Sequence, residues 1–284
     1  MSRGLSGPLL AWVRASVSRG AYMLALGAVT PIASAAQMRG YAVGAPSAGE
    51  IYLNIVRGDR IKSYLFDAAP FSVPVLWMCG LVVMLFAALW VYIPRNNGVD
   101  QTMLFACGSR QAFWFMRASA LVVIPAIHIV WRVVTCELVA VVLGGDPSFF
   151  EISDGARMMI KEHSPLTWNL EWMFLSALVE YVSLALITVL VGLLAGTWGV
   201  PAGFLAGICY LVASVFTCSP FLWGNFSMVC RVQALIHDGV AWLLADVGLV
   251  VMVAVIACCF ARLSRRDFAQ DFGKDTPWIY RLSM

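Results

Sequence analysis

Long apolar runs decide what this chain can fold into. Residues 71–94 form one and residues 120–144 another, and the charged stretch RNNGVDQTMLFACGSRQAFWFMRASA, from Arg95 to Ala120, lies between them. As a helix the first run extends about 36 Å at ~1.5 Å per residue, enough to cross a hydrocarbon core of about 30 Å. The chain is 61% hydrophobic and 12% charged, half the charged share of roughly 25% typical of soluble domains. Most of its surface must then face something other than water. In lipid every backbone polar group needs an internal partner, which makes helices the default. No alternating strand pattern is visible, which argues against a barrel. The fold class expected is all-α: a polytopic membrane helical bundle of about six transmembrane helices. They fall at residues 17–36, 71–94, 120–144, 171–195, 202–222 and 239–261 of a single domain, 1–284.

The remaining composition narrows the partners. A net charge of +3 is too small and too dispersed for nucleic acid, and none of the eight cysteines forms a C-x-x-C pair. With three histidines besides, no metal site is legible. A disulfide between Cys218 and Cys230 is one option for the presumed outer side. No phosphate-binding loop pattern is present, so ATP hydrolysis, if used, must come from another chain; no enzyme activity and no cofactor are expected on this one.

Residues 21–36 read either as the core of a cleaved signal peptide ending at Ala33-Ser34-Ala35 or as part of a short first span that begins near Val13 or Val17 and contains Pro31. The span is favoured, because the basic lead would be long for a signal and five more spans follow. Residues 37–69 read as a plain outer loop or as a helix resting on the membrane through Ile51, Leu53, Ile55, Val56, Ile61 and Leu65. Most of the 19 Lys and Arg fall on the side of the termini and of Arg95, which places that side in the cytoplasm.

The polar stretch after Arg95 has its own grammar. Asn96-Asn97-Gly98 is a turn signal. Asp100 can cap a short helix over residues 101–106. Cys107-Gly108-Ser109-Arg110 breaks it, and Phe113, Trp114 and Phe115 then enter the next apolar run as interfacial aromatics do. The run TMLFACGSRQAFWFMRASALVVIPAIHIVW resembles the coupling loop and following span of type-2 ABC exporter permeases, and LITVLVGLLAGTWG resembles a later span of that family. Arg110 falls at or near a family arginine, Phe113 and Phe115 match the aromatic re-entry, and Pro125 matches the span proline. The usual proline at Ala106-Cys107-Gly108 is absent, and only one arginine is present.

The resemblance implies a membrane-spanning permease subunit of a bacterial exporter in the cytoplasmic membrane. It implies a partner ABC ATPase subunit that hydrolyses ATP, a second permease copy or paralogue, and surrounding membrane lipids. It implies a cytosolic amphipathic coupling helix between the second and third spans, with Asp100, Arg110, Phe113, Trp114 and Arg117 as its contact and anchoring residues.

Five residues stand where apolar ones belong: His128, Arg132 and Glu137 in the third span, Glu180 in the fourth and Asp246 in the sixth. A lone charge at mid-membrane costs about 3 kcal/mol or more, so these face the bundle or water. They are expected to form an intramembrane polar cluster, with Arg132 paired to Glu180 or Glu137 and His128 sharing its face one turn earlier. Interhelical fastening and a gating or substrate contact are both open for this cluster. A non-transporting membrane assembly or sensory subunit would carry the same spans. An intramembrane enzyme would need a pair such as His128 with Glu180.

Overall fold

The computed structural model describes residues 24–39, 44–58, 73–92, 110–150, 152–154, 156, 200–217, 222–229 and 231. Side chains of residues 88–92, 110, 111, 113–125, 200–203, 223 and 226 lie outside that description. Among the described residues every regular element is a helix: residues 24–39 (α1), Ala48–Val56 (α2), Val75–Tyr92 (α3), Arg110–Val142 (α4) and Val200–Phe216 (α5), then a short 3-10 helix, Trp223–Ser227. The all-α expectation holds for this part of the chain.

The longest element, α4, has 33 residues, about 50 Å at the helical rise. It starts in the polar stretch and runs through Pro125 without a break, although an interior proline usually kinks or ends a helix. One rod therefore joins the second half of that stretch to the expected third span. Its far end is set by sequence. Gly144 takes φ +77°, the Gly144 N–H donates to Val141 O at 3.0 Å, and the Gly145 N–H donates to Ala140 O at 2.8 Å. This pair of bonds is the Schellman stop, for which glycine is suited because it carries no Cβ penalty at positive φ. The boundary agrees with the expected end of the run at residue 144.

Helix α3 opens behind Pro74, whose carbonyl accepts from the Met78 N–H at 3.0 Å. Helix α5 starts at Val200 with Pro201 in its first turn, where a missing N–H leaves nothing unsatisfied. It ends at Phe216, six residues before the expected 222, because a side chain from further along the chain closes it there.

The largest departure concerns α2. Residues 48–56 are helical, but neither a plain loop nor a helix resting on a surface. Ala48, Ile51, Tyr52, Leu53, Ile55 and Val56 are all buried, and the helix packs against both α3 and α4. The reason lies at its amino end. The Ala48 and Gly49 N–H groups donate to Asp146 O at 2.9 Å and Ser148 O at 3.2 Å, so the segment after α4 covers the side that would otherwise face out. Gly49 permits this closeness, since a Cβ there would stand 2.5 Å from Phe149 O.

Two cores result. Ala35, Ile51, Tyr52, Ile55, Cys136, Ala140 and Phe149 knit α1, α2, α4 and the segment after it. Trp77, Leu81, Met84, Leu85, Leu211, Val215 and Met228 knit α3, α5 and the chain beyond the 3-10 helix. Packing of α3 on α4 and α2 joins them.

Among the described residues no helix is long and apolar enough to cross a membrane.

Candidate functional site: a polar junction of four helices

Arg132 stands at the meeting point of α2, α3 and α4. It is only 3% exposed, and α4 points it inward because Cys136 and Ala140, one and two turns on, are buried on the same side. From α2, the Tyr52 hydroxyl accepts from Arg132 Nη2 at 3.3 Å, and the guanidinium carbon lies 5.1 Å from the Tyr52 ring centre. A desolvated cation over an aromatic face gains roughly 2 kcal/mol. From α3, Gly80 lies beside the guanidinium: a Cβ there would be in ordinary contact with Nη1, at 3.7 Å. Tyr52 in turn meets Phe149 edge to face, with ring centres 6.1 Å apart. A chain of contacts thus runs from Arg132 through Tyr52 to the segment after α4.

One turn before Arg132, His128 is buried at 5% exposure and faces α1. A Cβ on Gly27 would stand 3.2 Å from His128 Nδ1 and 3.3 Å from Trp131 Cδ1. Glycine at that position lets the two helices approach closely. Trp131 Nε1 donates to Leu24 O at 2.7 Å, and Thr135 Oγ1 donates to its own helix at Trp131 O, 2.7 Å away. On the neighbouring faces of α1 and α2, Ser34 Oγ donates to Ile51 O at 2.7 Å. Asn54 Nδ2 donates to Ser34 Oγ and to Gln37 Oε1, each at 3.2 Å.

Two further buried charges bind helix ends. Glu50, 4% exposed, closes a capping box: the Glu50 N–H donates to Ser47 Oγ at 3.2 Å, and the Ser47 N–H donates to Glu50 Oε2 at 2.9 Å. Its other oxygen, Oε1, accepts from the Ser153 N–H at 2.9 Å. The carboxylate is thereby tied to two backbone amides at the positive end of a helix. Arg231, 1% exposed, does the converse for α5. It donates to the Ser214 and Val215 carbonyls in the last turn and to Asn225 Oδ1 at 2.6 Å. Asn225 Nδ2 donates onward to Thr217 O at 2.7 Å, and Trp77 Nε1 donates to Ser227 Oγ at 2.8 Å. Asn225, Ser227, Met228 and Arg231 are all buried, so this part of the chain is packed into the protein.

The cluster expected from sequence is brought together only in part. His128 and Arg132 share a buried face. Glu137 is exposed; five residues beyond Arg132, it is turned about 140° around the helix, so α4 itself keeps the two apart. Glu180, Asp246 and Asp100 lie outside the described residues, as do Cys218 and Cys230. Arg110, Phe113, Trp114 and Arg117 lie on the amino-terminal part of α4, where the backbone is described and their side chains are not. Tyr52, Glu50 and Asn225 were not anticipated. Ser47-Ala-Gly-Glu50 carries the capping-box spacing that could have revealed Glu50; nothing in the sequence singles out Tyr52 or Asn225.

Among the described residues no group of His, Cys, Asp or Glu is placed to hold a metal ion. No family model, curated protein or solved structure matches this chain.

Proposed function

We propose that the chain is a multi-pass helical bundle embedded in a bacterial cytoplasmic membrane, acting as the permease subunit of an ATP-driven ABC exporter. ATP is hydrolysed on a separate ATPase subunit, and a second permease copy or paralogue completes the pathway. One observation carries the membrane reading. On α4, Ile127, Val130, Val134, Leu138 and Val141 are exposed at three- and four-residue steps, while His128, Arg132 and Thr135 are buried. A helix on a water-soluble protein turns its apolar stripe to the core. The opposite arrangement suits a lipid solvent, where polar side chains gain by facing the bundle.

The exporter reading rests on the resemblance over the polar stretch and gains support from the continuity of α4. Arg110 and Arg132 stand on one rod, 22 residues or about 33 Å apart. A push at the cytosolic end would reach the four-helix junction without crossing a flexible joint. In the test, the chain is reconstituted in vesicles with its ATPase, and candidate compounds are scored by the rise in ATP turnover. Arg110→Glu should lower ATPase co-purification severalfold with membrane insertion unchanged. Normal co-purification would take Arg110 off the docking surface, and transport by the purified chain alone would end the exporter reading.

A second reading, a non-transporting assembly or sensory subunit, draws on a different observation. Glu50 is bound to the Ser153 N–H after α4, and Arg231 to two carbonyls of α5, an arrangement that favours rigidity. ATP turnover that no compound changes, with the ATPase still bound, would favour it.

A further inference from the structure

Helix α1 carries the small-residue motif at which a leader would be cut, yet its inner face is fitted to the rest of the chain. Projected down the helix at about 100° per residue, Gly27, Thr30, Ser34, Ala35 and Met38 fall within an arc of about 140°. Thr30, Ser34, Ala35 and Met38 are buried, and Gly27 lies against α4. Leu26, Val29 and Ile32 occupy the opposite arc and are exposed. Small and polar residues thus face inward and branched apolar ones outward, as on α4. The core of a cleaved leader needs only apolar character over roughly 7–15 residues. That task asks for no polar face matched to a partner.

The match is specific along the whole helix. Gly27 meets His128 and Trp131. Eight residues on, Ala35 shares a core with Cys136, itself eight residues after His128, so α1 and α4 keep step over about two turns. Trp131 Nε1 finds its acceptor at Leu24 O. Ser34, the middle residue of the motif, donates to Ile51 O and accepts from Asn54 Nδ2. Ala33-Ser34-Ala35 is helical, with Ser34 and Ala35 only 0% and 2% exposed. A protease acts on the opened population of its target, and opening α1 here gives up all of these bonds and contacts together.

We infer that residues 24–39 stay in the working protein as the α1 wall of the polar junction, and that the fold masks Ala33-Ser34-Ala35 as a cleavage site. Removing them would uncover His128, strip the Trp131 indole N–H of its acceptor and take Ser34 from Asn54. This role depends on packing and not on transport.

In the experiment the full chain, with a carboxyl-terminal affinity tag, is purified in detergent from its source cells. Intact mass and peptide mapping locate its first residue. Peptides that span the Ala35–Ala36 bond are expected in nearly all molecules. A chain that begins at Ala36, after hydrolysis of that bond, would overturn the inference and leave the exporter reading with five spans.

Two neighbouring variants then test the packing, because Ala35 is buried and Ala36 is exposed. Ala35→Trp should lower the melting temperature by about 5 °C or more, Ala36→Trp should leave it within about 1 °C, and neither should change the chain's length. Equal melting temperatures would overturn the packed wall. A chain longer than the parent from Ala35→Trp would show that position 35 is read by the protease, and would overturn the masking. Should Ala35→Trp not accumulate, Ser34→Ala takes its place. The middle position of the cleavage motif is free, so a leader would not register this change, whereas a packed α1 loses the hydroxyl between Ile51 and Asn54 and melts lower by about 2 °C or more. An unchanged melting temperature would overturn the packed wall here too.

Discussion

The Glu50 corner and the Arg231 corner solve the same problem with opposite charges. Glu50 sits at the amino end of α2, where unpaired N–H groups make a positive pole; Arg231 sits at the carboxyl end of α5, where unpaired carbonyls make a negative one. Both are buried, and both bind backbone groups. The difference is one of distance along the chain. Glu50 belongs to the helix it caps, whereas Arg231 lies 15 residues beyond the last residue of α5. A local cap forms as soon as its helix forms. A remote one requires the intervening chain to fold back, and in doing so it ties that chain to the bundle.

This contrast predicts a graded series. Arg231→Ala should have the largest effect. It strands two carbonyls and the Asn225 amide oxygen in the interior, and stranded acceptors cost about 1–3 kcal/mol each. A loss of roughly 3 kcal/mol or more should appear as a lower melting temperature of the purified chain in detergent, with segment 222–231 becoming open to protease. A protected segment would mean that the remote cap is dispensable.

Glu50→Gln should come second, at about 1–2 kcal/mol. Glutamine still offers one oxygen to the capping box, so the charge-assisted bond to the Ser153 N–H suffers most. Hydrogen exchange of the Ser153 amide is the readout, and an exchange rate equal to that of the parent would break the comparison at its local end.

Tyr52→Phe should be the mildest, at ~1 kcal/mol or less. It deletes the hydroxyl bond to Arg132 and keeps the ring beneath the guanidinium. A melting shift as large as that of Arg231→Ala would show that the hydroxyl, not the ring, holds the junction.

The same contrast explains how much could be read from the sequence. The end of α4 was legible, because Gly144-Gly145-Asp146-Pro147 spells a helix stop within four residues. The inward turn of His128 and Arg132 was legible from their spacing and the cost of charge on an apolar run. The burial of α2 was not: Ile51, Leu53, Ile55 and Val56 give one pattern whether a helix lies on lipid or between other helices. The partner of Arg132 on α2 was not legible, because a buried cation points to a carboxylate, while Tyr52 offers a hydroxyl and a ring face. Arg231 escaped because backbone carbonyls leave no mark in the sequence. Glu137, grouped with Arg132 by proximity along the chain, is separated from it by the turn of the helix.

The unbroken course of α4 has a geometric consequence. Its carboxyl end is pinned, since Gly145 lies so close to Pro46 that an added Cβ would stand 2.1 Å from the Pro46 carbonyl oxygen. Adding one residue anywhere between Arg110 and Ala126 would therefore leave that end in place, swivel the opposite tip through about 100° and advance it about 1.5 Å. The bearing of Arg110 on whatever it meets is thus written as a residue count, and the length of this rod works as a phase setting independent of the side chains along it.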